Sequence, residues 1–74
     1  MFNGIRLKAA SVAHKFPVGT SVMLSHLDGV PDGTRGVVEF VDDIGNIFVE
    51  TPDGMENVVL TLADEGVYFT KVKD

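Results

Sequence analysis

Residues 33–54, Gly-Thr-Arg-Gly-Val-Val-Glu-Phe-Val-Asp-Asp-Ile-Gly-Asn-Ile-Phe-Val-Glu-Thr-Pro-Asp-Gly, hold two β-branched runs joined by an Asp/Gly turn and closed by a second turn. Such a stretch predicts a tightly turned antiparallel hairpin, the unit from which small β barrels are built. Pairing about 34–41 with about 46–51 across Asp42-Asp43-Ile44-Gly45 sets Val41 opposite Asn46. Val38, Phe40, Ile47 and Val49 then share one face, the better core, because side chains alternate along a strand. The other face carries Val37, Glu39, Val41, Phe48 and Glu50. No catalytic dyad, metal-ligand spacing or phosphate loop occurs in the hairpin, so it specifies an architecture rather than a chemistry.

The flanking segments complete a five-stranded reading. Ile5, Ala9, Val12, Ala13 and Phe16 recur at helical spacing over 4–16, with Asn3 as N-cap and Pro17 forcing Phe16 out of the helical region. This helix is expected over one open end of the barrel. Pro17-Val18-Gly19-Thr20 is a turn, and a strand over 21–27 puts Val22 and Leu24 on one face and Met23 on the other. Residues 28–33 form a loop dense in turn formers. Pro52-Asp53-Gly54 turns into a strand over 56–62, where Val58, Leu60 and Leu62 alternate with Asn57, Val59 and Thr61. Ala63-Asp64-Glu65-Gly66 breaks it, and a last strand over 67–72 brings in Tyr68, Phe69 and Val72. Short strands at regular spacing, bounded by Gly, Pro and Asp, predict one mainly β domain: a small antiparallel SH3-like barrel with an N-terminal helix.

With 74 residues, one hydrophobic core supplies only about 3–5 kcal/mol, which keeps self-association in view. The absence of cysteine removes disulfides, thiolate zinc sites and cysteine nucleophiles. Neither a signal-peptide pattern nor a membrane-length apolar run is present, so the expectation is a soluble protein of the cytoplasm with no membrane partner. The net charge is −5, and ten of the eleven carboxylates fall between residues 21 and 70, where Arg35 is the one Lys or Arg. Most of that surface repels a phosphate backbone, which disfavours nucleic acid as a partner.

Pro17-Val18-Gly19-Thr20-Ser21-Val22, then Asp32-Gly33-Thr34-Arg35-Gly36-Val37-Val38, then Val41 to Val49, resemble a family of very small proteins known only as a domain of unknown function. That resemblance spans about residues 5–72 and implies an origin in phages, plasmids and conjugative elements of Gram-positive bacteria. The layout also resembles SH3-like barrels of the KOW type, in which a Gly-x-Val strand leads into an acidic turn. Where the family has a tryptophan and an acidic residue after the third strand, this chain has Thr51 and Pro52, and Phe40 replaces a small residue. A function that depends on that tryptophan would not carry over.

Candidate chemistry is sparse. Asp42 and Asp43, with Glu39, Glu50, Asp53 and Glu56 near them in sequence, could gather around a cation, but Ile44 occupies a position where a calcium loop needs oxygen. Asp at turn starts is explained by bonding to its own backbone. No serine sits in a nucleophile elbow and His14 and His26 lack a third ligand, so the expectation is no enzyme, no metal and no cofactor. The outer hairpin face is the favoured site: Val37, Val41 and Phe48 as an apolar stripe beside Glu39, Asp42, Asp43 and Glu50, unless the helix or the 28–33 loop covers it. Such a surface suits a host protein with a basic surface, or a second copy in a homo-oligomer.

Together with the resemblance, the acidity yields the expectation of a non-enzymatic interaction module, concretely an anti-CRISPR-like inhibitor of a bacterial host's defence protein. Two alternatives stand beside it. One is an oligomeric binder of a small ligand such as a nucleotide signal; the other is a KOW-like RNA or ribosome-associated module. Both would draw on a basic patch of Arg6, Lys8, Lys15 and Arg35.

Overall fold

The computed structural model describes residues 2–52 and 57–72, with the side chains of 2–8 outside that description. Helix α1 runs Phe2–Lys15. It includes Asn3, so Asn3 is not the N-cap that the sequence suggests. Its end is the expected one: the Phe16 N–H closes the last turn on the Val12 carbonyl at 2.8 Å, and Pro17 follows. Ala9, Val12 and Phe16 are buried, whereas Ala13 is exposed, so the apolar face is narrower than its sequence pattern. The expected Ile5 contact falls outside the described side chains.

Five strands follow: β1 (Ser21–Leu24), β2 (Thr34–Val41), β3 (Ile47–Glu50), β4 (Val58–Leu60) and β5 (Phe69–Lys71), with a 3-10 turn over Leu62–Asp64. All pairings are antiparallel, in the order β4-β3-β2-β1-β5. The sheet curls into a half-barrel with one helix. Val22, Leu24, Val38, Ile47, Val49, Leu60 and Phe69 line its inner face, and Val12 of α1 and Phe16 just after it join them in one buried cluster. The Phe16 and Phe69 rings meet at 5.4 Å with a 57° tilt, a favourable edge-to-face arrangement.

Charged side chains fasten the helix end to this core. Lys15 Nζ lies 2.6 Å from Glu65 Oε1 and 5.6 Å from the Phe16 ring centre, while Lys71 Nζ donates to the Lys15 carbonyl at 2.9 Å. A cation on the last carbonyls of a helix is the favourable end of its dipole. Gly45 adopts φ +89° and is buried against α1, where a Cβ would lie 3.8 Å from Val12 Cγ2.

Four of the five expected strands are shorter in the structure, β3 by one residue at each end. Strand β1 ends at Leu24 because His26 takes φ +61° and turns the chain. Its N–H donates to Asp32 Oδ1 at 3.0 Å and its Nδ1 lies 3.1 Å from the Val67 carbonyl, which latches the β1–β2 loop to the turn before β5. Leu27 and Val30 of that loop pack against the core from outside the ladder. Leu62 leaves β4 for the 3-10 turn, held by Asp64 Oδ2, which accepts from the Thr61 N–H at 2.8 Å and from its hydroxyl at 3.2 Å. Val67 and Tyr68 are turn residues rather than β5 residues. The turn at Asp53-Gly54 and the first residue of the expected fourth strand, Glu56, lie outside the described residues.

Candidate functional site

Two devices at the β2–β3 hairpin decide what its outer face displays. The first is the turn. Asp42 Oδ1 accepts from the N–H groups of Ile44 at 3.1 Å and Asn46 at 2.8 Å, and Oδ2 accepts from the Asn46 side-chain amide at 2.9 Å. Partial desolvation alone would raise the Asp42 pKa, but these bonds and one from the Gly45 backbone outweigh it and hold the carboxyl below the usual carboxylate value. Asn46 is thereby drawn into the turn, and Val41 pairs with Ile47 instead of Asn46.

The second device is a bulge. Val37 pairs with Glu50 and Val38 with Val49, as the sequence register has it, but Phe40 pairs with Phe48, and Glu39 between them is the extra residue. The slip introduced at the turn is absorbed at Glu39, so every side chain between the two changes face. Val41 points to the core side and packs against the buried cluster, and Phe40 turns outward, half exposed. The expected assignment of Val41 to the outer stripe and Phe40 to the core is therefore reversed by one inserted residue. Asn57 Nδ2 donates to Glu39 Oε2 at 2.9 Å and steadies the bulge.

The outer face that results is centred on aromatic rings. Phe40 and Phe48 stack with centroids 4.2 Å apart and planes 12° apart. Val59 stands opposite Phe48 on β4 and is exposed. Val37 is exposed on the same face, with Glu50 opposite it on β3 and Ser21 opposite it on β1. Met23 and Arg35, mutually paired and exposed, continue the face toward β5. Among the described side chains, buried Val12 of α1 and half-buried Val30 of the 28–33 loop pack toward the core cluster, and Val37, Phe40 and Val59 of this face are exposed.

The other expected site residues are dispersed. Asp42 serves the turn, Asp43 is exposed at its tip, and Asp53 and Glu56 lie outside the described residues. Lys15 is bound to Glu65 at the end of the helix on the inner side of the sheet, whereas Arg35 is on the outer side, so these two do not form one basic patch. The side chains of Arg6 and Lys8 lie outside the description. His14 is exposed on α1. Phe40, Met23 and Val59 are the surface residues that the proposed stripe lacked. Of these, Val59 and Met23 follow from strand alternation, while Phe40 required the bulge.

A family model described as Domain of unknown function (DUF4314) matches residues 6–65. The chain belongs to that family. The match spans α1 through the 3-10 turn and includes the whole hairpin face. Thr51, which follows β3, is buried. No curated protein matches the chain, and no solved structure matches it. No helix among the described residues is long and apolar enough to cross a membrane.

Proposed function

We propose that this chain is a non-enzymatic interaction module, an SH3-like barrel whose outer hairpin face binds a protein with a basic surface. The strand order β4-β3-β2-β1-β5, with a 3-10 turn before the last strand, supports the SH3-like reading. Resemblance to mobile-element proteins, together with a net charge of −5, supports a target in the bacterial cytoplasm, a host defence protein being the concrete case. The observation that carries the reading is the stack of exposed Phe40 on half-buried Phe48, on the face that also carries Glu39 and Glu50. Exposed aromatic anchors dominate binding energy at protein interfaces, and a rim of one charge sign speeds encounter with a partner of the other sign. Aromatic rings also suit a nucleic-acid platform, but Arg35 is the one Lys or Arg on the described face and two carboxylates adjoin the rings.

The test uses tagged protein to capture partners from a bacterial lysate, followed by affinity measurement with the purified partner. A Phe40→Ala, Glu50→Lys variant should bind at least tenfold more weakly while keeping a folded spectrum. Undiminished affinity in that variant would contradict the assignment of this face. Asp42 is left untouched, since its carboxylate holds the turn.

A further inference from the structure

We infer that the Phe40–Phe48 stack with Glu50 is a seat for an arginine side chain of the partner, a reading that rests on the proposed function and narrows its chemistry. The rings stack with 4.2 Å between centroids and 12° from parallel, so each covers one face of the other, and the ring that a partner reaches is Phe40, 47% exposed, backed by half-buried Phe48. Among the described residues, the cations that lie over an aromatic ring are Lys15 and Lys71, both over Phe16 at the helix end. The outer stack has no such companion among the described residues.

Its carboxylates are equally uncommitted to cations. Glu39 is held by the neutral amide of Asn57, which fixes its position at the bulge without cancelling its charge. Glu50 is exposed on β3, two residues beyond Phe48 on the same face, with no ion-pair partner among the described residues. An aromatic surface flanked by carboxylates discriminates between the two basic side chains. Guanidinium is planar and weakly hydrated, so it can lie on a ring while its N–H groups pair with a carboxylate; ammonium is a compact, strongly hydrated charge that gains less from the ring.

The experiment titrates the protein with a short Gly/Ser peptide carrying arginines and with its counterpart carrying lysines at the same positions, followed by NMR at low salt. The arginine peptide should bind about two- to five-fold more tightly and shift the ring resonances of Phe40 and Phe48. Phe40→Leu, which keeps an apolar side chain in place, should equalise the two peptides. Equal binding of both peptides to the wild type, with shifts on the hairpin face, would overturn the arginine seat and leave a basic partner standing. No shift on that face with either peptide would overturn both. Light scattering closes the remaining route: a dimer that Arg35→Ala converts to a monomer would assign the seat to a second copy instead of a partner.

Discussion

Gly36 and Asp42 show how single residues fix this hairpin. A Cβ at Gly36 would overlap Val49 Cγ1 and lie 3.1 Å from the Glu50 carbonyl oxygen. Val49 is fully buried and β-branched, so it has no free rotamer to yield. Gly36→Ala should therefore lower stability by about 1–3 kcal/mol in a urea titration, the usual cost of overpacking; an unchanged midpoint would mean that β2 and β3 can part at this point. Asp42 acts through charge. Its folded pKa lies below its unfolded value, so its contribution is complete above the ordinary carboxylate range and is lost as pH falls through the depressed value. Between about pH 5 and about pH 3, the wild type should lose more stability than Asp42→Asn, which has no such proton to take up. Parallel losses in the two proteins would remove Asp42 from the acid response.

At the scale of elements, the helix is part of the core rather than an accessory to the sheet. Phe16 and Val12 are almost wholly buried among the strand residues. Truncating Phe16 to Ala costs about 3–5 kcal/mol, comparable to what a core of this size supplies, so circular dichroism should show the variant largely unfolded at 25 °C. A folded Phe16→Ala protein would mean that the sheet stands without its helix. The helix and the five strands were legible because apolar periods of 3.6 and 2 alternate between clear Gly and Pro stops. Strand lengths were less so: Leu27 and Leu62 are apolar because they pack on the core, not because they pair in the ladder. The bulge was the hardest to read. Val38 and Val41 both face inward with Glu39 and Phe40 between them, a spacing that alternation forbids unless one residue is extra, and a bulge at a charged, non-glycine residue leaves little compositional mark.

For the whole molecule, one bulge turns Phe40 outward onto half-buried Phe48 and divides the apolar side chains between a core that holds the fold and a face available for contact. These roles should separate experimentally. Phe40→Ser should shift stability by only about 1 kcal/mol, since the ring is half exposed and contributes mainly its stacking on Phe48, while chemical denaturation of the Ile47→Ala protein should show a loss of about 2–5 kcal/mol from a fully buried site. A loss at Phe40 as large as that at Ile47 would place Phe40 in the core. The most direct measurement is a nuclear Overhauser spectrum of the free protein in solution, read at the Phe40 ring with a soluble paramagnetic probe added. Contacts from Phe40 to Phe48, with strong broadening by the probe, are the predicted result. Contacts from Phe40 to Ile47 and Leu24, with protection from the probe, would restore the unbroken register, bury the ring and remove the surface on which the proposed function depends.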